Sequence, residues 1–87
     1  MTDIENILRD ILIVDLFIQL DRERILPTLS LRNELGLDSV GFVELRTQIE
    51  QRFGVAISDD DFTPEHFATL ASLGQLIRRR QRDALLS

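Results

Sequence analysis

The sequence contains no cysteine and no lysine, and it lacks any apolar run long enough to span a membrane. Without cysteine, the chain cannot form a disulfide, a zinc–thiolate site or a cysteine nucleophile. The apolar run at residues 11–14 ends at Asp15, far short of the roughly 20 residues that cross a bilayer. Asp3 and Glu5 stand where a secretory signal would be basic. We therefore expect a cytoplasmic protein that does not insert into membranes.

Because lysine is absent, all ten basic residues are arginine, and fifteen acidic residues leave a formal net charge of −5. This balance argues against a nucleic-acid partner. Residues 1–65 hold six arginines against fourteen acidic residues, or −8, whereas residues 66–87 hold four arginines against one acid, or +3. An acidic body favours association with basic surfaces on partner proteins.

The beginning of the chain has the apolar spacing of a helix. Thr2 and Glu5 stand at capping-box spacing, so a first helix is predicted to begin there and to end near Leu20. Its apolar residues cover almost the whole circumference, which predicts deep packing. They are Ile4, Ile7, Leu8, Ile11, Leu12, Ile13, Val14, Leu16, Phe17 and Ile18.

A long connection without helical period follows, from Leu20 to Leu37. Loops beyond about 12–15 residues are uncommon in small domains and are often functional. We expect this one to be pinned to the core by its leucines and to contain at most a short turn. The anchoring residues are Leu29, Leu31, Leu35 and Leu37.

The second helix is predicted from about Ser39 to Phe53, with Gly54 as its C-terminal stop. Its core stripe consists of Phe42, Leu45, Ile49 and Phe53. Val40, Val43 and Glu44 fall on the opposite face, which should be exposed to solvent. We interpret them as a surface that docks partner proteins.

Two further helices complete the predicted all-α bundle. Thr63 and Pro64 are typical of the N-cap and first position of a short third helix, and Thr69 opens the last helix. The arginines at 78–82 suit a helix C-terminus, and no aromatic residue interleaves them as in a nucleic-acid patch. We expect a single domain over residues 1–87, with its core at about 3–77 and a helix end or tail at 78–87.

Ser39 lies where the long loop turns into the second helix, at or next to its N-cap. A phosphate ester on this hydroxyl would carry its charge at the positive end of the helix dipole. Serine is also a common cap that needs no further chemistry, so position alone leaves both interpretations open.

The sequence disfavours catalytic and metal-binding interpretations. Gly36 and Gly41 flank Ser39 at the wrong spacing for the Gly-x-Ser-x-Gly elbow of serine hydrolases. His66, the one histidine, has no strand–elbow context that would make it a general base. The three aspartates at 59–61 lack the alternating ligands and central glycine of a calcium loop, so we interpret them as a solvated link and predict no metal site.

The residues around Ser39 resemble the prosthetic-group site of acyl carrier proteins. The similarity includes Leu-Gly-Leu-Asp-Ser-Val at residues 35–40 and Val-Glu-Leu at residues 43–45. It continues with Phe-Gly-Val at the end of the second helix and with the acidic link that precedes Phe62. The resemblance covers about residues 3–77, and it implies a four-helix acyl-carrier-type bundle with a short third helix and a long first loop.

The resemblance also implies a function, that of a carrier rather than an enzyme. Ser39 would bear a 4′-phosphopantetheine arm taken from coenzyme A by a phosphopantetheinyl transferase. Asp38 corresponds to the family's aspartate that helps assemble the metal-bound transfer complex. Acyl-loading and acyl-transfer enzymes would dock at Val40, Val43 and Glu44 to handle acyl thioesters on the arm, in fatty-acid, polyketide or related lipid biosynthesis. We expect a discrete carrier that acts as a monomer.

Some positions depart from the pattern of the family. Gly41 stands where many fatty-acid carriers have a carboxylate, and Thr47 and Gln51 replace residues that are often apolar and acidic. Peptidyl carriers usually have Gly-Gly-His/Asp-Ser at the site, so Gly-Leu-Asp-Ser at residues 36–39 favours an acyl or polyketide-type carrier. Two alternatives stay open: an aminoacyl or peptidyl carrier, and an unmodified helical interaction module that keeps the carrier fold.

Overall fold

The computed structural model describes residues 3–86. Over this range it contains three α-helices and no strand: α1 at Asp3–Asp10, α2 at Ser39–Phe53 and α3 at Leu70–Leu86. A π-helical turn at Ile11–Asp15 continues α1, and a 3-10 turn at Arg22–Arg24 lies in the long connection. The predicted all-α class is confirmed. Thr2, proposed above as the first cap, lies outside the described residues.

The first helix ends earlier than the predicted position near Leu20. Its π-helical turn closes at Leu16, whose N–H donates to the carbonyl of Ile11 at 3.0 Å. Phe17 then adopts a left-handed conformation, with φ at +59°, and its side chain is 79% exposed. This conformation ends helices and is usually taken by glycine. The expected deep packing of Phe17 is therefore wrong, as is that of Val14, which is 60% exposed.

Both predicted ends of α2 are confirmed. Gly54 is left-handed, with φ +65° and ψ +34°, and its N–H donates to the Glu50 carbonyl at 3.0 Å. Leu45 and Ile49 are fully buried, whereas Phe42 and Phe53 are only partly buried at the two ends of the stripe. The stripe therefore faces the core as predicted.

The predicted short third helix, and with it the four-helix description, is not confirmed. Residues 64–67 form a hydrogen-bonded turn flanked by bends, with one helix-like bond from the Phe67 N–H to the Thr63 carbonyl at 3.0 Å. The hydroxyl of Ser72 donates to the His66 carbonyl at 2.8 Å. The Leu31 N–H donates to the Ala68 carbonyl at 2.9 Å. These two bonds tie the segment to α3 and to the long connection, and it forms turns where the helix was predicted.

The buried apolar residues form one cluster, to which every part of the described chain contributes. Its members are Leu8, Ile11, Leu12, Ile25, Leu31, Leu37, Leu45, Ile49, Val55, Ile57, Phe67, Leu70, Leu73, Leu76 and Ile77. Leu31 and Leu37 anchor the long connection as predicted, and Ile25 is a buried anchor that the leucine pattern did not indicate. The division of the chain into one domain over residues 1–87 stays a prediction.

Ion pairs tie the outer parts of the bundle together. Arg52 of α2 contacts Asp15 at 2.9 Å, which holds α2 against the end of the first helix. Arg80 of α3 lies 3.6 Å from Asp61 and 3.0 Å from Asp83. No helix formed by residues 3–86 is long and apolar enough to cross a membrane.

Candidate functional site

Ser39 is the first residue of α2, and Asp38 is its N-cap. Oδ1 of Asp38 accepts a hydrogen bond from the Gly41 N–H at 2.8 Å, which satisfies one of the unpaired N–H groups at the helix start. The side chain of Ser39 is exposed, and its hydroxyl has no hydrogen-bond partner within the described part of the chain. The helix start is therefore capped by Asp38, and the Ser39 hydroxyl is free to carry a group.

The backbone that leads into Ser39 is fixed by the core. Leu37 is buried, and its N–H donates to the Leu31 carbonyl at 3.0 Å. Gly36 precedes it with φ at +75°, a conformation that glycine adopts without steric cost. This anchored turn holds Ser39 at a defined position on the surface.

Three grooves meet at Ser39. The first, with a volume of about 390 Å³, lies between α2 and the turns at residues 62–68. The second runs along the outer face of α2 past Val40, Val43, Glu44 and Thr47. The third lies against the end of the long connection, beside Arg32 and Asn33. A group on Ser39 would therefore have direct access to all three.

The first groove has an aromatic wall. Phe67 packs edge-on against Phe42 and Phe62, with ring centroids 6.5 Å and 4.9 Å away. The guanidinium of Arg46 lies 5.0 Å from the centre of the Phe62 ring and also bonds the Ile57 carbonyl. Edge-to-face pairs and the cation–π contact hold these rings in place. The groove is thus preformed and mainly apolar.

The predicted docking residues lie next to Ser39 on the outer face of α2. Val40 is 76% exposed and Val43 54% exposed, while Glu44 is half-buried beside them. Thr47, one of the departures noted above, continues the same groove, and its hydroxyl donates to the Val43 carbonyl at 3.0 Å. A small apolar patch with a carboxylate at its side therefore follows Ser39 directly.

The acidic link and the histidine line none of the three grooves at Ser39. Asp59 contacts Arg46 at 3.0 Å, and Asp61 contacts Arg80, so two of the three aspartates at 59–61 join the link to helices. Nδ1 of His66 lies 2.9 Å from the Asp61 carbonyl oxygen and 3.1 Å from the Thr63 hydroxyl. Among residues 3–86, no group of three His, Asp or Glu side chains is arranged to hold a metal ion.

Several residues that line the site were not indicated by the sequence. Arg32 and Asn33 border two of the three grooves, and Ser30 borders the first. They lie in the connection without helical period, where no pattern predicts which side chains face the site. Phe62 and Phe67 were predicted only as core anchors, and the structure brings them beside Ser39 as well.

Comparisons with known proteins agree with this geometry. Residues 4–77 match the family model described as "Phosphopantetheine attachment site". The acyl carrier protein of Karelsulcia muelleri is 32% identical over 83 residues, which is 95% of each chain. The acyl carrier protein MbtL of Mycobacterium tuberculosis is 35% identical over 82 residues, covering 94% of this chain and 88% of that protein.

A third relative, the acyl carrier protein of Lactobacillus johnsonii, is 37% identical over 62 residues, covering 71% of this chain and 75% of that protein. Members of the matched family are carriers rather than catalysts, and they act with a phosphopantetheinyl transferase and with enzymes that handle acyl groups. The chain therefore belongs to the acyl carrier protein family, and its cofactor is covalently attached 4′-phosphopantetheine.

Proposed function

We propose that this protein carries acyl groups for fatty-acid, polyketide or related lipid biosynthesis, with its 4′-phosphopantetheine arm attached to Ser39. The observation that carries the proposal is the exposed, unpartnered Ser39 hydroxyl at the point where three grooves meet. When bound, the arm supplies a thiol on which acyl groups are held as thioesters. The protein itself performs no chemistry on them.

The surroundings of Ser39 fit a phosphodiester. The hydroxyl is accessible, and it lies in the first turn of α2, where the helix dipole favours an anion. The neighbouring Asp38 carboxylate already accepts a hydrogen bond from Gly41, so its interaction with the helix start does not depend on the arm. The three grooves leave room for the arm to leave the surface in more than one direction.

Asp38 has two roles in this proposal. Its Oδ1 caps α2, which keeps Ser39 at the helix start. We propose that its carboxylate also helps assemble the metal-bound complex with the transferase, as the resemblance implies. The capping role depends on an oxygen acceptor, whereas the second role depends on negative charge.

Partner enzymes are proposed to dock on Val40, Val43 and Glu44. An enzyme that reaches a group on Ser39 must cover the outer face of α2, where the two valines are exposed. Burial of this patch would provide the apolar contact, and Glu44 would orient a basic partner. The net charge of −5 supports partner proteins with basic surfaces and argues against a nucleic-acid partner.

The aromatic groove is proposed to shelter the part of the cargo nearest to the arm. It opens beside Ser39, and Phe42, Phe62 and Phe67 form its apolar side.

We further propose that the carrier is a cytoplasmic monomer, an acyl rather than an aminoacyl or peptidyl carrier, and not an enzyme.

The proposal is tested by intact-mass measurement after incubation with coenzyme A and a broad-specificity transferase. The wild type should gain the mass of one phosphopantetheinyl group, and Ser39→Ala should gain none. Ser30→Ala is the matched control, because Ser30 lines the same groove, and this variant should be modified like the wild type. A wild type that gains no mass would support the unmodified interaction module instead.

A further inference from the structure

We infer that Arg32 binds the phosphodiester of the arm and thereby fixes the direction in which the arm leaves Ser39. This inference rests on the proposed attachment to Ser39 and adds a positioning residue to it. The ligand chemistry is a phosphate diester with one negative charge.

Arg32 is placed to reach such a group. It lines the first groove, with the aromatic wall, and the third groove, beside the long connection. Ser39 lines the same two grooves. Among all residues that line the three grooves at Ser39, Arg32 is the one with a positive charge. A phosphate on Ser39 would thus share two grooves with one arginine.

The turn that carries Arg32 is held in place by its own hydrogen bonds. The hydroxyl of Ser30 accepts from the Asn33 N–H at 3.0 Å, and a carboxylate oxygen of Glu34 accepts from the Ser30 N–H at 2.9 Å. Leu31 is fully buried, and its N–H donates to the Ala68 carbonyl at 2.9 Å. Arg32 therefore projects from a fixed backbone, and only its side chain must be ordered when it binds.

Arg32 has no ion-pair partner within residues 3–86, although Asp38 lines the third groove with it. Arg46, Arg52 and Arg80 each contact a carboxylate, whereas Arg32 is exposed and forms no ion pair or hydrogen bond with residues 3–86. An arginine without a carboxylate partner is available to an incoming anion. Arginine binds phosphate oxygens through two parallel N–H groups, which fixes direction as well as distance.

The second source of an anion at this place would be a carboxylate on the cargo, inside the aromatic groove. The phosphodiester is the better candidate, because it is bonded to Ser39 itself and is present with every cargo. A cargo carboxylate would interact with Arg32 only when the acyl group happens to carry one.

The test is a cycle of four melting temperatures, for the wild type and Arg32→Gln, each without and with the arm. Mass spectrometry first confirms complete modification at Ser39. If the wild type gains no arm, or Ser39→Ala gains it equally, the proposed function and this inference both fail. If modification is complete, the cycle tests Arg32 alone, because the difference of differences isolates the coupling between Arg32 and the arm.

The expected result follows from the size of an exposed charge pair. The change in melting temperature on modification should be lower in Arg32→Gln than in the wild type by about 2–5 °C at low salt. The difference should shrink as salt rises. Arg79→Gln is the control, because Arg79 is exposed on α3 and lines none of the three grooves. The melting temperature of this variant should change on modification by the same amount as that of the wild type.

A second measurement uses the side-chain N–H signals of the arginines in nuclear magnetic resonance spectra. The Nε–H signal of Arg32 should shift and exchange more slowly once the arm is attached, and that of Arg79 should not. Arg32→Lys should restore part of the thermal coupling, since it keeps the charge but not the paired N–H groups. No coupling and no shift in a fully modified protein would overturn the inference.

The two anion sources are separated by transferring an acetyl-bearing or a malonyl-bearing arm from the corresponding coenzyme A thioester. Equal coupling to Arg32 in both forms supports binding of the phosphodiester. Coupling in the malonyl form alone would overturn it and would assign Arg32 to a carboxylate on the cargo.

Discussion

Replacement of Asp38 separates its capping role from its role in arm transfer. Asp38→Ala removes the acceptor of the Gly41 N–H, a bond of 2.8 Å at an exposed helix start. Loss of such a cap costs about 1 kcal/mol, within a range of roughly 0.5–2 kcal/mol. In a domain of this length, that corresponds to a decrease of about 4–8 °C in melting temperature.

Asp38→Asn keeps an oxygen acceptor and loses only the charge. The remaining cost is the interaction of the carboxylate with the helix dipole, about 0.3–1 kcal/mol, so this variant should be more stable than Asp38→Ala. Asp60→Ala is the control, since Asp60 is exposed and has no hydrogen bond or ion pair within residues 3–86. It should change the free energy of unfolding by less than about 0.5 kcal/mol.

Stability and transfer should respond differently to these changes. Urea unfolding followed by circular dichroism should rank the variants Asp60→Ala, Asp38→Asn and Asp38→Ala in order of decreasing stability. Timed intact-mass measurement should show slow arm transfer to both Asp38 variants, because both lack the carboxylate. If Asp38→Ala were as stable as Asp60→Ala, the capping argument would be refuted. Wild-type transfer to Asp38→Asn would refute the need for a charge.

The remaining predictions concern the core, a turn and the docking face. Leu45→Ala empties a fully buried site and should lower the free energy of unfolding by about 3–4 kcal/mol. Val43→Ala on the same helix should lower it by less than about 1 kcal/mol. Urea unfolding distinguishes the two variants, and equal effects would contradict the assignment of Leu45 to the core face and Val43 to the outer face. Gly54→Ala should cost about 1 kcal/mol, because no atom lies within 4 Å of the added Cβ and only the left-handed backbone is disfavoured; an unchanged unfolding midpoint would contradict this. Val43→Asp and Glu44→Arg should leave the circular dichroism spectrum intact but slow arm transfer or acyl loading, and the effect of Glu44→Arg should shrink as salt rises. Wild-type rates in both variants would exclude this face as the docking surface.

The sequence predicts α2 well because both of its ends are encoded locally. Asp38 supplies the cap and Gly54 the left-handed stop. The end of the first helix has no such signal, since Phe17 takes the left-handed conformation that glycine usually adopts. Thr63 and Pro64 are local helix signals, but only one helix-like bond follows them, from the Phe67 N–H to the Thr63 carbonyl. Ser72 and Leu31 donate to the carbonyls of His66 and Ala68, and no local pattern predicts these contacts.

The residues of the candidate site also fall into two groups, those that the sequence indicates and those that only the tertiary structure brings together. Ser39 and Asp38 are adjacent in sequence and belong to one motif, so the sequence alone is enough to propose them as site residues. The aromatic groove depends on Phe62 and Phe67, which only the tertiary packing brings beside Phe42. Arg32 lies in a connection without periodicity, so no sequence pattern indicates that it lines the same grooves as Ser39.

Peptide-level tandem mass spectrometry of the modified protein shows directly whether Ser39 carries the arm. The wild type is modified with coenzyme A and a transferase, then digested, and the added group is located along the fragment series. We expect the group on Ser39 and on no other serine or threonine. An added group on another residue, or an unmodified Ser39 in a protein that has gained the arm, would contradict it.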